Sequence, residues 1–503
     1  MLAFLQFDAA SVELLEAMLQ AGRLPVLSAL RAKGVLGPLE PSTTLFEAAI
    51  YPELYTGVDV EDHALYSAIG WVPGEQRMCS WFEVEKPATV WERLARGGRR
   101  SLVVDPYQGW PTRDGRGLWI SGWQFQNRMI VPRWEQPRGA FGALRRELGG
   151  PPSAETVFGR PSLRTLLALR ETFVEAPRRA ADLVERALTR EPFDFVWVVF
   201  SNVHLAGHYL WDRSLVADAD LDERSQALLD AAMADVYEAT DAALGRIVAA
   251  LPPGTDVVVF SPDGMGPNTS RSDLLPGMLA AVLGEGTSAN GEGTGDALWR
   301  WRARIPAAWR GAAARLLSEE TACAVTARLQ TLGMDWSRTR AFAVQGDHYG
   351  FVRLNVRGRE RDGVVAPADA DALLEFIADG LMTFRDPDGA PSVAEVARTR
   401  DAVPAGDRSA LLPDLVVCWS ARDTARLAAV TSPRFGRVAR HGAGPGMAGN
   451  HTAGAWSLLV PGAGRRAPLH RAPRLVDLAA TACAHAGVAA DGLPGVPLLE
   501  PRG

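Results

Sequence analysis

The sequence predicts an α/β fold: a doubly wound, mostly parallel central sheet with helices on both faces and insertions that form a cap. Three observations predict it. Short apolar runs recur without polar alternation, as strands covered on both faces require. Segments of helical period separate these runs, so the pattern reads βαβα. No repeat of fixed period competes with that reading.

In chain order, residues 2–7 (LAFLQF) follow Met1 directly and read as the first core strand, with helical periodicity over 11–33. A second run, SLVVD at 101–105, precedes a long helical segment at 161–189. FDFVWVVF (193–200) and TDVVVF (255–260) bracket another helix at 221–251. LPDLVVCW (412–419) follows a helix at 368–384, and AWSLLVPG (455–462) precedes the last, at 473–487. Two stretches break the alternation within what reads as one domain over 1–503. Residues 70–160, rich in Trp, Gly, Pro and Arg, read as an irregular excursion over the sheet. Residues 270–340 hold a low-complexity loop, GEGTSANGEGTGD at 284–296, and then helical segments to about 333. Such insertions either roof a site at the carboxyl ends of strands or are plain surface additions.

Composition narrows the functions. The 503 residues are 47% hydrophobic and 22% charged, with a formal net charge of −6. That acidity argues against a nucleic-acid-binding patch. Four cysteines lie far apart with no CxxC pair, which excludes a disulfide scaffold and a cysteine-ligated zinc. Of 53 basic residues only Lys33 and Lys86 are lysine, the usage of a GC-rich genome. No apolar run reaches the roughly 18 residues that span a bilayer, and no charged leader with a cleavage site opens the chain. The expectation is a cytoplasmic monomer or homodimer acting on a small molecule, with no membrane partner.

Strand ends supply the candidate chemistry. Asp8 follows the first strand, where it is either a ligand or an N-cap. SNVHLAGHYLW follows the strand at 193–200 and carries His204 and His208 at i and i+4, facing one way as two ligands of one metal do; packing beside Trp211 is the alternative. SPDGMGPN puts Asp263 in a turn that Asp-Gly chemistry alone explains. GNHTAG places His451 in a loop before the last strand. Three imidazoles and two carboxylates converging on one sheet edge suit a zinc-type site. PSTTLFEAAIYPELYTG (41–57) adds Ser42, Thr43, Thr44 and Glu47. A hydroxyl there needs a base or metal to become a nucleophile; otherwise Thr44 and Glu47 sit at capping-box spacing before a helix starting near Leu45.

The order of these motifs resembles the alkaline phosphatase superfamily, in its type I phosphodiesterase/nucleotide pyrophosphatase-like branch. Asp8 comes first, then YTGVDVEDHAL (55–65) with Thr56, Gly57 and His63. HLAGHYLW (204–211) resembles a D-x-x-GH pattern and SPDGMGPN (261–268) an SDHGMG turn. YGFVRLNVRGRERDGVV (349–365), LLPDLVVCW (411–419), GNHTAG (449–454) and LVDLAATACAHAGV (475–488) complete the series.

The resemblance implies an alkaline phosphatase-like fold with two divalent ions, usually zinc, and a Thr or Ser that forms a covalent phospho-enzyme. The ligands carried over are Asp8, His204, His208, Asp263 and His451. The departures matter. His204 stands where the family has aspartate, and the family's Asp-His pair reads Pro262-Asp263. Counted back from Thr56-Gly57 without a gap, the nucleophile position falls on Glu47; three inserted residues restore Thr44.

The function expected is a zinc-dependent hydrolase of phosphate esters, a phosphodiesterase or pyrophosphatase, with one or two Zn2+ and with Mn2+ or Mg2+ as weaker alternatives. Thr44 is the candidate nucleophile, and Glu47 a rival ligand or base. Trp71, Trp81, Trp110, Trp119 and Trp123 either stack on a substrate group or pack. Two other readings stand beside this one: a mononuclear zinc lyase or transferase on a specialised metabolite, and a catalytically degenerate binding protein. No cysteine sits in a C-x-P-x-R context, which sets sulfatase chemistry aside.

Overall fold

The computed structural model describes residues 1–112, 115–126, 133–154, 161–216, 221–284, 319–344, 346–440, 446–462 and 471–499. The low-complexity loop and the helical segments expected up to residue 318 lie outside the described residues.

An eight-stranded mixed sheet organises the molecule. Its order is Val35–Pro38, Trp456–Val460, Asp256–Ser261, Leu2–Phe7, Phe195–Phe200, Ser101–Val104, Gly117–Ile120 and Glu135–Gln136. The five strands from Asp256–Ser261 to Gly117–Ile120 are parallel. Trp456–Val460 runs antiparallel to Asp256–Ser261, and Glu135–Gln136 antiparallel to Gly117–Ile120. The stretch at 70–160 is therefore only partly an excursion, since it supplies three strands of this sheet.

Burial on both faces explains the unbroken apolar runs. Along Leu2–Phe7, Ala3, Leu5 and Phe7 enter one core, against the long helices Leu163–Arg190 and Glu223–Ala250. Leu2 and Phe4 enter the other, with Trp197 and the helix Leu475–Ala486. Each fully buried Leu or Phe contributes about 1.5–3 kcal/mol relative to exposure, so both faces are needed to hold such a strand. Gln6 is the exception, a buried polar residue in mid-strand.

Residues 11–33 form two helices, Val12–Gln20 and Pro25–Arg31. Gly22 breaks them by adopting a φ of +71°, and Pro25 restarts the second as its first residue. Ser11, not Asp8, caps the first helix, which removes the capping explanation for Asp8.

The run at 412–419 departs from expectation. Its strand, Leu415–Trp419, belongs to a separate antiparallel sheet in the order Ala341–Val344, Gly350–Leu354, Leu415–Trp419, Val393–Arg398. Helices Leu275–Leu283 and Ala370–Leu381 cover this sheet and share its core. Periodicity marks a buried strand without saying which sheet it joins. Among the described residues no helix is long and apolar enough to cross a membrane.

Candidate metal centre

The carboxyl ends of three adjacent parallel strands deliver the candidate residues. Leu2–Phe7 leads into Asp8, Phe195–Phe200 into the helix Ser201–Leu210 with His204 and His208, and Asp256–Ser261 into Asp263. His451 arrives on the short strand Gly449–Thr452, paired with Gly264–Pro267 so that it lies opposite Met265. Gly207 permits the approach, because a Cβ there would sit 2.6 Å from the Met265 side chain.

The three imidazoles converge. His204, His208 and His451 are all buried, and one ring nitrogen from each lies within 4.8 Å of the others. Ring centroids stand 4.8 Å apart for His204–His208 and His204–His451, and 5.1 Å for His208–His451. Each Nδ1 has an oxygen partner. His208 Nδ1 is 3.0 Å from the Gly449 carbonyl, and His204 Nδ1 is 2.9 Å from Asp8 Oδ2. His451 Nδ1 makes a short hydrogen bond with Asp263 Oδ2.

Those partners fix the tautomers. A carbonyl oxygen only accepts, so His208 Nδ1 donates and its Nε2 is a lone pair. His204 and His451 follow the same rule where a carboxylate oxygen accepts from Nδ1. His204 Nε2 and His208 Nε2 then face each other at 2.9 Å. Two bare lone pairs at that distance repel, and a cation shared between them removes the repulsion. Three converging imidazoles with an open fourth position fit a divalent metal such as zinc.

Supporting groups surround the trio. Gln6 Nε2 donates to Asp8 Oδ1 at 2.9 Å and its Oε1 accepts from Trp197 Nε1 at 3.1 Å, which accounts for a polar residue in mid-strand. Tyr107 packs edge-on against His204 with centroids 4.5 Å apart. Burial raises the Asp8 carboxyl to about 7, with Gln6 opposing, and lowers His204 to about 3 and His208 further. Burial also pulls His451 down, but Asp263 outweighs it and lifts that imidazole to about 9.

A crevice beside the imidazoles is lined by Thr43, Thr44, Glu47, Asp263, His348 and His451. The expected capping box does not form. Phe46, not Thr44, precedes the turn Glu47–Ala49, and no side chain caps it. Thr44 is exposed. Glu47 instead accepts backbone N–H groups from Asp347 at 3.2 Å and His348 at 3.0 Å, both on Oε1. Burial raises its carboxyl to about 7, with the His348 N–H opposing. Glu47 Oε2, Asp263 Oδ1 and His348 Nδ1 are all buried without a hydrogen-bond partner, and the Tyr51 hydroxyl interacts with Asp8. Native interiors leave few such atoms, and Glu47, Asp263 and His348 bring three of them to the lining of one crevice.

Sequence reasoning missed Tyr51, Tyr107 and His348. A histidine directly before YGFVRLN was the available signal for the last. None of the five tryptophans lines the crevice. Trp71 packs on Trp336 and Phe342, and Trp123 is wholly buried with its N–H on the Arg179 carbonyl. They serve as packing.

An α/β sheet with a metal-type imidazole centre at its strand ends defines the class of protein. The family model described as type I phosphodiesterase/nucleotide pyrophosphatase matches residues 2–427, so the chain belongs to that family and is a phosphodiesterase/phosphatase-like hydrolase. No curated protein matches the sequence. Phosphonoacetate hydrolase from Sinorhizobium meliloti 1021, solved with phosphonoformate, is similar at 14% identity and a TM-score of 0.51, over 96% of this chain and 95% of that one. Murine ectonucleotide pyrophosphatase/phosphodiesterase 5, solved as an inactive variant with AMP, is similar at 12% identity and a TM-score of 0.48, over 99% of each chain. At 14% identity the first likeness speaks to the fold, an alkaline phosphatase-like one.

Proposed function

We propose that this protein hydrolyses a phosphodiester or pyrophosphate bond in a small phosphorylated molecule, using zinc at the centre formed by His204, His208 and His451, with Asp8 and Asp263 as its carboxylates. The observation that carries this reading is the convergence of three buried imidazoles whose Nδ1 atoms are all engaged. A bound divalent ion would supply positive charge for the phosphoryl oxygens as negative charge develops on them.

Attack comes either from the Thr44 hydroxyl or from water with Glu47 as its base. Thr44 is exposed, and among the described residues no base hydrogen-bonds its hydroxyl. Glu47 holds Oε1 in two backbone hydrogen bonds and leaves Oε2 buried and free in the crevice. That contrast favours water as the nucleophile. Its oxygen bonds to phosphorus, its proton passes to Glu47 Oε2, and the leaving oxygen departs with the P–O bonding pair and is protonated by solvent. The four cysteines form no disulfide, which favours a reducing, cytoplasmic setting.

The test is turnover by the zinc-loaded full chain on aryl phosphodiesters, dinucleoside pyrophosphates, aryl monoesters and a phosphonate. Faster cleavage of the first two classes, lost on chelation and restored by zinc, is expected. Preference for the monoester or the phosphonate, or activity indifferent to metal, overturns the reading.

A further inference from the structure

The hydrogen bonds around the centre bear on how many ions it takes. A dinuclear centre needs a second set of converging ligands, and the carboxylates are the first place to look for it. Asp8 spends both oxygens, Oδ1 on the Gln6 amide and Oδ2 on His204 Nδ1. Asp263 spends Oδ2 on His451 Nδ1, and Glu47 spends Oε1 on two backbone N–H groups. Asp263 Oδ1 and Glu47 Oε2 remain, together with the Asp347 carboxylate, which interacts electrostatically with His451. Pro262 offers no donor. Among the described residues no second trio of imidazole, thiol or carboxylate groups converges as the histidines do.

The engaged oxygens have a different use. A metal-bound imidazole usually donates its other N–H to a carboxylate or carbonyl, which fixes the tautomer, orients the ring and makes the bound nitrogen more basic. All three histidines have that partner: Asp8 for His204, the Gly449 carbonyl for His208, Asp263 for His451. The Trp197–Gln6–Asp8 chain extends the support into the core of the sheet.

We propose that the centre takes one metal ion, bound by Nε2 of His204, His208 and His451, and that Asp8 and Asp263 are positioning residues that orient two of these imidazoles. The proposal deepens the functional reading above and rests on its assignment of the metal to the three histidines.

The experiment is metal stoichiometry on the full chain. The protein is stripped with a chelator, reloaded with excess Zn2+, freed of unbound ion and submitted to elemental analysis. One equivalent per chain is expected; two, or none, overturns the proposal. Asp8→Asn and Asp263→Asn should each keep one equivalent, with Zn2+ affinity weakened about 10–100-fold in competition with a chromophoric chelator. His204→Ala should bind none tightly. An Asp8→Asn or Asp263→Asn protein that loses the ion as completely as His204→Ala makes that carboxylate a ligand and sinks the proposal. Unchanged affinity in both sinks their positioning role.

Circular dichroism establishes that each variant is folded. The parent titrated with Co2+ gives the same answer without a variant, through a single-phase rise of visible ligand-field bands ending at one equivalent. A second phase overturns it. One equivalent without phosphodiesterase activity would cost the functional reading and leave this one standing. Two equivalents with activity would do the reverse.

Discussion

Two buried polar clusters in this molecule look alike by composition and differ in hydrogen bonding. One is the imidazole centre at the sheet edge. The other lies under the smaller sheet, where Arg353 and Glu360 meet with both side chains fully buried. Arg353 Nε reaches Glu360 Oε1 at 2.8 Å, and its terminal nitrogens donate to the carbonyls of Leu412 and Ala410. Glu360 Oε2 accepts from Trp71 Nε1, and Arg359 pairs with both oxygens of Asp414. Asn355 Nδ2 is placed against the carbonyls of Trp336, Thr339 and Asp362, and its Oδ1 accepts from Gln76. The charged and amide groups of that cluster are all partnered, and only the Tyr66 hydroxyl beside Arg353 is left without a hydrogen bond. The crevice keeps Glu47 Oε2, Asp263 Oδ1 and His348 Nδ1 unpartnered. A saturated polar network specifies a structure, whereas an unsaturated one is costly on its own and persists where a ligand completes it.

The largest effect that sharpens this contrast comes from His208→Ala. It removes an Nε2 from the trio, so bound metal and hydrolysis should both disappear while the fold survives. Elemental analysis and far-ultraviolet circular dichroism read the two independently. Retained metal would mean that the trio is not the site.

Arg353→Met tests the other side. It leaves Glu360 buried, facing only Arg359 and Trp71, and breaking a buried pair this way costs about 3–5 kcal/mol of stability. Urea unfolding measures it. The variant that remains folded at low denaturant should bind metal as the parent does. Loss of metal there would break the division into a structural and a functional cluster.

How much of this was legible differs between the clusters. The strands at 2–7 and 255–260 could be placed because a strand buried on both faces must be apolar throughout, and His204 and His208 because i, i+4 spacing puts two side chains on one face. RLNVRGRE stood out equally in the sequence, yet nothing in its residue types distinguishes a ligand set from a closed ion-pair network. Saturation of hydrogen bonds is a three-dimensional property. The same limit hid His348, which lines the crevice, and Tyr51, which reaches Asp8, from segments far apart in the chain. It also made Thr44 and Glu47 look like a capping box, since spacing cannot show that backbone N–H groups 300 residues away bind the carboxylate.

Glu47→Gln separates cost from use. Removing a general base lowers turnover by about 10²–10⁴-fold. Stability should move the other way. Burial raises the Glu47 carboxyl from its ordinary 4.5 to about 7. The stability tied to its protonated form is therefore present below about 4.5 and is lost as the pH rises through 7. In the metal-free parent, stability should fall over that window, and the fall should be smaller in Glu47→Gln because one titrating group is gone. At pH 8 the variant should be the more stable of the two, by on the order of 1 kcal/mol. Thermal unfolding of the stripped proteins at pH 5 and pH 8 measures the difference. A variant less stable than the parent at both values would place Glu47 among the closed structural residues.

Thr44→Ala should show the smallest effect, and its size decides the chemistry. The side chain is exposed, so its removal should change stability by no more than about 0.5 kcal/mol. If water attacks phosphorus with Glu47 as base, turnover should stay within a few-fold of the parent, because the crevice loses one hydroxyl on its lining and no group that moves a proton. If Thr44 is the nucleophile, turnover should collapse, and rapid quenching of the parent should trap a phosphorylated threonine. The stereochemistry gives a second answer that needs no variant. A chiral phosphorothioate diester inverts at phosphorus in one displacement by water and retains its configuration through two. Inversion, with an active Thr44→Ala protein, would show that water attacks phosphorus directly and that Thr44 carries no covalent intermediate.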